Sequence, residues 1–354
     1  MAARTQSEAA NTAVQRSPAE WRGPEMAARD DWIVRFTDAE AAEIEAAVEA
    51  GRHVDLVALD RQRFPLPSLG ARLAEIAADV VEGRGFVLLR GLPVERWDRE
   101  TSARAFYGIG CYFGVPVPQN RMGHLLGHVK DLGLDPADPD NRIYQTSARH
   151  LFHTDSADMV GLLCLQKARR GGLSAIASST AIFREIEARR PDLAEVLCGP
   201  FHVDRKGEIP EGKGPTYELA IYHRHGGRIT CIYARDFIEA AQRHAHVPPL
   251  TPEQVEAMDL LDDLANSDEF QLRMAFEPGD IQFLHNHQIL HARTAYEDWP
   301  EPERRRHLLR LWLSTPNGRP LPEAFAERYG TVAPGRLRGG IRVPGQRLIA
   351  PLDA

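Results

Sequence analysis

The residues best able to do chemistry are grouped in His150-Leu151-Phe152-His153-Thr154-Asp155. On an extended strand, side chains two apart project to one face, so His153 and Asp155 can reach one point while Thr154 faces away. An imidazole and a carboxylate there supply two of the three ligands of a facial metal triad. A third ligand from a later strand would leave the opposite coordination positions open for substrate and dioxygen. Four histidines lie late in the chain: His285, His287, His291 and His307. His291 is the choice, because it stands where a new strand should begin after Asn286 to Leu290. The spacing by itself leaves the other three open.

Further downstream, Arg306, Leu308, Arg310 and Trp312 alternate with Leu309 and Leu311, so they share one face of a strand running from His307 to Ser314. Two guanidinium groups on an otherwise apolar face are costly unless they are paired. Protein carboxylates could pair them. So could a dicarboxylate bound beside the metal, held by the two parallel hydrogen bonds that a guanidinium offers a carboxylate.

The elements that must carry these residues can be read from periodicity. Ala41, Ile44, Ala47 and Val48 recur at helical spacing before Gly51, as do Leu73, Ile76, Ala77 and Val80 before Gly83, so two amphipathic helices open the fold. A buried strand, Phe86 to Leu89, and a helix from Asp98 to about Gly114 follow. Residues 119–150, rich in Gly, Asp, Pro and Asn, read as an unusually long loop and are expected to form a lid. Strands are expected at Met159 to Leu165 and Ser174 to Ser178, parted by Gly171-Gly172. Thr251-Pro252-Glu253-Gln254 is a capping box that starts a helix reaching about Asn266. Alternation at Phe270, Leu272, Met274 and Phe276 marks another strand, and Glu277-Pro278-Gly279-Asp280 turns it into Ile281 to Leu284. Helices early and strands later, with no βαβ rhythm, predict an α+β protein with a mostly β core, a jelly roll with helical insertions.

Composition narrows the function classes. The net charge of −7, with Lys and Arg dispersed, excludes a nucleic-acid partner, and no apolar run is long enough to span a membrane. A small molecule is the expected partner; whether the chain forms a homo-oligomer is left open. Cys111, Cys164, Cys198 and Cys231 show no paired spacing and are expected to be free thiols of a cytoplasmic protein. Residues 1–30 lack a secretory core and are expected to be a mobile extension. Residues 31–354 are then expected to form one catalytic domain. His223, His225, His244 and His246 read as solvated loop or helix residues.

Taken in order, His153-Thr154-Asp155, Gly171-Gly172-Leu173-Ser174, Pro278-Gly279-Asp280, Asn286, His291 and an Arg pair four residues apart give the chain a resemblance. From Gly83 to Leu313 it resembles the TauD/TfdA family of iron(II)- and 2-oxoglutarate-dependent dioxygenases, also called clavaminate-synthase-like. The resemblance implies a double-stranded β-helix (jelly roll, cupin-like), with Fe(II) on His153, Asp155 and His291. It implies 2-oxoglutarate as co-substrate beside O2, with its distal carboxylate on Arg306 and on Ser174, where the family commonly has Thr. It also implies that Arg310 grips an acidic group of the prime substrate. Oxidation, most often hydroxylation, of an unactivated C–H bond with release of succinate and CO2 is the implied reaction. The interval from Asp155 to the Gly-Gly turn is short for the family, which puts the substrate-side loop in doubt. Tyr144, Gln145, Thr146, Asp158 and Asn286 are further candidates for substrate contact. Two other readings stay open: a zinc hydrolase using the same trio, since two His and a carboxylate also suit catalytic zinc, and a metal-bearing jelly roll that binds a ligand without turnover.

Overall fold

The computed structural model describes residues 17–136, 141–315, 318–333 and 335–353. Eleven strands build its two main sheets. In chain order they are β1 (Ile33–Arg35), β2 (Phe86–Arg90), β3 (Val115–Val117), β4 (Leu126–Val129), β5 (His150–His153) and β6 (Met159–Gln166), then β7 (Ser174–Ser178), β8 (Gln271–Met274), β9 (Ile281–His285), β10 (Ile289–Arg293) and β11 (His307–Ser314). The large sheet runs β1-β2-β9-β6-β11-β3, with β4 also on β11, and the small sheet runs β8-β7-β10-β5. Every pairing in them is antiparallel except β1 with β2.

The pleat explains how the sheets face each other. Phe86 and Leu88 of β2, Val160 and Cys164 of β6, Leu284 of β9, and Leu308 and Trp312 of β11 meet Ile176, Leu272, Met274 and Ile289 of the small sheet in one buried core. The alternate residues Val87, Leu89, Ile281, Phe283, Leu309, Leu311 and Leu313 point outward into a second core. There they meet helices α2 (Asp38–Ala50), α3 (Leu69–Glu82) and α4 (Arg99–Phe113), which follow a short α1 (Gly23–Ala27). A third core covers the back of the small sheet with α5 (Ser179–Arg189), α6 (Pro191–Leu197), α7 (Arg235–Ala241) and α8 (Pro252–Asn266). The protein is therefore a double-stranded β-helix sheathed by helices on both outer faces.

Local chemistry sets the corners. Gly279 takes φ +87°, and a Cβ there would come within 2.0 Å of the Leu92 carbonyl oxygen, so the turn into β9 requires glycine. Asp280 fixes the same turn by accepting the Glu277 N–H at 2.8 Å and binding the Arg90 guanidinium at 2.6 Å. The capping box at α8 forms as its sequence dictates, with Thr251 and Gln254 bonding each other's backbone N–H.

Four expectations need correction. Residues 17–30 are not a loose extension: Trp21 and Met26 are buried in the inter-sheet core, and the Trp21 indole N–H donates to the Arg84 carbonyl at 2.9 Å. Residues 1–16 of that expected extension lie outside the described residues. The 119–150 stretch is not one loop, because β4 lies inside it and pairs with β11; its four residues are too few to show a period. Next, β1 and β2 pair in parallel across α2 and α3, so one crossover of the βαβ kind exists where none was expected. Finally, β5 stops at His153, so Asp155 stands beyond the strand rather than on it.

Candidate metal centre

His153, the last residue of β5, lies directly across from His291 of β10, and their rings are 4.2 Å apart. Asp155 curls back from the loop after β5 to meet them. One of its carboxylate oxygens is 3.9 Å from His153 Nε2 and the other 3.6 Å from His291 Nε2. The three candidate ligand atoms all fall within 4.8 Å of one another, the one such grouping of His, Cys, Asp and Glu among the described residues.

The donor set is prepared for a cation. His153 donates its Nδ1–H to the Leu151 carbonyl at 2.8 Å, which leaves Nε2 with a lone pair facing the site. Burial and the neighbouring His153 push the His291 imidazole down to about 3, so it is neutral in the fold and able to ligate. Burial alone would raise the Asp155 carboxyl. Arg310, the two imidazoles and an indole N–H donated by Trp312 at 2.8 Å outweigh it, and the net shift is downward, towards the carboxylate. Asn286 holds the loop carrying that carboxylate, accepting the Asp155 N–H at 3.0 Å and donating to the Ala157 carbonyl at 2.9 Å.

A cavity opens on either side of this trio. The smaller, of about 50 Å³, lies between the sheets and is bounded by Ser174, His291, Arg293, Arg306, Leu308 and Arg310, with no Asp or Glu in its wall. Arg306 is 5% exposed, and its Nη1 is buried without a hydrogen-bond partner. Arg293 repeats the pattern: Nε and Nη1 are buried and unpartnered, while Nη2 donates to the carbonyls of Thr146 and Ala148. Burial and the charge of Arg306 lower the Arg293 guanidinium to about 10. The Tyr296 ring lies under both groups, 4.8 Å from Arg293 and 5.1 Å from Arg306. The larger cavity, of about 100 Å³, has Asp155, Ser156 and Trp312 at its base and Tyr144, Arg205, Phe237 and Arg328 among its walls. Tyr144, His150, His153 and Arg310 border both cavities. Arg310 is held there by Gln119, whose side-chain oxygen accepts its Nε–H at 2.7 Å, and it lies over Tyr144 and Trp312.

Not every expected site residue is here. Asp158 is fully buried behind the trio, bound by His287 at 2.9 Å, by Arg338 and by the Thr315 N–H, so it cannot touch a substrate. Asn286 is equally buried and contacts the loop backbone instead. Gln145 and Thr146 fall outside both cavity walls; Thr146 is buried and bonded to the Ile143 carbonyl. Of the rejected histidines, His285 and His287 sit in that buried cluster, and His307 pairs with His128 at 2.8 Å. Among the four expected to be solvated, His223 and His244 are instead partly covered, His223 edge-on to Phe325 and His244 on Asp204 at 3.0 Å. Sequence reasoning missed Arg293, which the two-residue step from His291 could have revealed. It also missed Gln119, Arg205 and Arg328, for which the sequence carries no local signal.

A β-helix that closes two imidazoles and a carboxylate around one point, with an arginine-lined cavity alongside, defines a metal-dependent oxygenase. The chain belongs to the TauD/TfdA dioxygenase family: residues 52–312 match the family described as taurine catabolism dioxygenase TauD, TfdA family. It is similar to the FR-33289 synthase of Streptomyces rubellomurinus (30% identity; 88% of this chain, 94% of the relative). It is also similar to the taurine hydroxylase-like protein SAT17 of Stachybotrys chartarum (33% identity; 82% of this chain, 77% of the relative). Its fold matches an asparagine oxygenase solved with Fe(II), 2S,3S-3-hydroxyasparagine and succinate (TM-score 0.60, 18% identity; 80% of this chain, 94% of that one). The protein is an iron(II)- and 2-oxoglutarate-dependent dioxygenase, which sets aside the zinc-hydrolase and ligand-binding readings. Among the described residues, no helix is long and apolar enough to cross a membrane.

Proposed function

We propose that His153, Asp155 and His291 hold the iron, that 2-oxoglutarate occupies the smaller cavity, and that a small acidic molecule is oxidised in the larger one. The observation that carries this reading is the pair of buried guanidinium groups, Arg293 and Arg306, facing a cavity whose wall contains no carboxylate. Buried cations without a counter-ion are sustained when a ligand supplies the charge. The distal carboxylate of 2-oxoglutarate does so, taking hydrogen bonds from Arg306, Arg293 and the Ser174 hydroxyl. Iron, 2-oxoglutarate and dioxygen together supply the oxidising power that hydroxylates a C–H bond and yields succinate and CO2.

The chain's own residues do the rest. Trp312 and Asn286 aim the Asp155 carboxylate. Tyr144, His150 and Arg310 separate the two cavities, so both bound molecules share one wall, and Arg310 presents its charge to the substrate at the metal end. Residues 141–150 cover the trio and limit the access of water to it. Four unpaired cysteines accord with a cytoplasmic location.

The deciding experiment measures oxygen-dependent succinate release with Fe(II), with Zn(II), and with no metal. Release with Fe(II) alone supports the reading. Release that persists in Arg306→Ala with an unchanged 2-oxoglutarate requirement would show that the co-substrate lies elsewhere.

A further inference from the structure

The larger cavity is backed by more positive charge than its acids neutralise. Along one wall, Arg142 pairs with Glu208 at 2.5 Å, Lys206 with Asp236 at 2.7 Å, and Arg205 with Glu327 at 2.5 Å. Glu327 is also shared with Lys213 at 2.6 Å. Arg328, next along the short helix α9 (Ala326–Tyr329), lines the same wall and belongs to none of the ion pairs among the described residues. Its Nε–H donates to the Ser156 hydroxyl at 2.9 Å. Asp204 in the same wall pairs with Arg243 at 2.7 Å, so six cations, Arg142, Arg205, Lys206, Lys213, Arg243 and Arg328, stand in and behind this wall against four carboxylates, Asp204, Glu208, Asp236 and Glu327, an excess of two charges.

Arg205 adds a second, independent sign. Its side chain is 1% exposed and lines the cavity, yet its Nη1 is buried with no hydrogen-bond partner. Burial, with the charge of Arg328 close by, lowers its pKa despite the Glu327 carboxylate. The backbone goes out of its way to present this corner. Lys206, at φ +46°, is the one non-glycine residue in the left-handed region among those described, and its N–H is fastened to Asp204 Oδ1 at 2.6 Å. The result is that Arg205 and Lys206, consecutive in sequence, both line the cavity.

We propose that Arg205 and Arg328, with the Ser156 hydroxyl, form a subsite for a dianionic head group, a phosphate or phosphonate, on the prime substrate. This rests on the reading of the larger cavity as the prime-substrate site. A dianion cancels the excess of two charges; a carboxylate or sulfonate cancels half of it. Arg205 Nη1, its other nitrogens being bonded to Gly214 and Glu327, and the Arg328 guanidinium suit different oxygens of a tetrahedral anion. Ser156 directly follows Asp155, so the head group lies beside the metal end of the cavity and the oxidised carbon is only a few bonds from it. Val203, Leu219, Ile221, Ile232 and Phe237 leave an apolar remainder of the wall for the carbon body.

The test uses the full chain loaded with Fe(II) and 2-oxoglutarate. Alkylphosphonates are compared with sulfonates, carboxylates and alcohols of the same chain length, with inorganic phosphate as competitor. Two signals are read: perturbation of the iron–2-oxoglutarate charge-transfer absorption, and stimulated succinate release. Phosphonates are expected to act at concentrations roughly ten- to hundredfold below the matched carboxylates, the range set by hydrogen bonds to charged groups. Inorganic phosphate should compete with them. Arg328→Gln should erase the preference, Arg328→Lys should keep part of it, and neither should move the 2-oxoglutarate concentration that develops the absorption. Arg205→Gln should act like Arg328→Gln; if it fails to fold, the part-exposed Arg328 carries the test. Equal response to all head groups, no response to any with no competition by phosphate, or a preference that survives Arg328→Gln would each overturn the subsite. A parent enzyme that never develops the charge-transfer absorption is a different result, and removes the metal-site reading beneath it.

Discussion

The two cavities beside the trio are built from different materials. The smaller is walled mainly by strands β6, β7, β10 and β11, whose inward positions are fixed by the pleat, and two of its cations, Arg293 and Arg306, belong to no ion pair among the described residues. The larger takes much of its wall from elements outside the two sheets: the ribbon of Pro200–Asp204 with Thr216–Ala220, α7, and the segment after β11 that holds α9. There most cations are paired. The contrast teaches that the sheet frame fixes the trio and the two unpaired guanidinium groups, while elements outside the two sheets shape the second cavity.

That contrast can be broken most sharply at the metal. His153→Ala, Asp155→Ala and His291→Ala are each expected to abolish Fe(II)-dependent succinate release while circular dichroism stays that of the parent. Should His285→Ala or His287→Ala abolish release with the melting temperature intact, the third ligand would be misassigned. Arg306→Met comes next, raising the 2-oxoglutarate KM roughly ten- to hundredfold. Because it removes a buried charge that no carboxylate pairs among the described residues, its apo form should melt no lower than the parent. A clear loss of melting temperature would mean that Arg306 is structural. Asn286→Ala should weaken iron binding by about ten- to hundredfold through the loosened Asp155 loop, with the 2-oxoglutarate KM at saturating iron little changed. Iron titration monitored by the charge-transfer band separates the two quantities.

The smallest effect lies on the outer edge of the frame. His307, next to Arg306, is pushed down to about 3, first by burial and then by His128. Its folded pKa is thus below the unfolded value near 6.5. Between these values the unfolded chain binds the extra proton, so stability should fall as pH drops from about 6.5 towards 3. Thermal melts across that window should show a shallower slope in His307→Gln, and an unchanged slope would assign the acid sensitivity to other groups.

How legible each region was in the sequence follows the same division. β11 announced its inward face, because Leu308, Arg310 and Trp312 recur two apart along it, with Arg306 four residues before Arg310 and just ahead of the strand. His291 was legible as a strand position, and the structure places it opposite His153. Asp155 came out near the right point for an incomplete reason: strand alternation was invoked, yet the residue lies in a loop held by Trp312 and Asn286. Asp158 misled because a carboxylate three residues from a metal-site candidate looks functional. Its partner Arg338 is 180 residues away, and nothing local shows the pairing. Arg205 and Arg328 were invisible for the same reason, since their meeting depends on the packing of two segments far apart in sequence.

The tie between Asp158 and Arg338 has a consequence for synthesis. The Gly340 N–H donates to the Ser156 carbonyl at 2.8 Å and the neighbouring Ile341 N–H to the Pro118 carbonyl at 2.7 Å, so the loop bearing Asp155 is also fastened by a segment that follows both imidazoles in the sequence. A nascent chain still attached to the ribosome holds both imidazoles and the carboxylate long before it holds that fastening. Until residues 338–341 emerge, the loop is held by Asn286 and Trp312 but lacks this further fastening. The order of translation thereby delivers this fastening of the loop after the three side chains that it steadies.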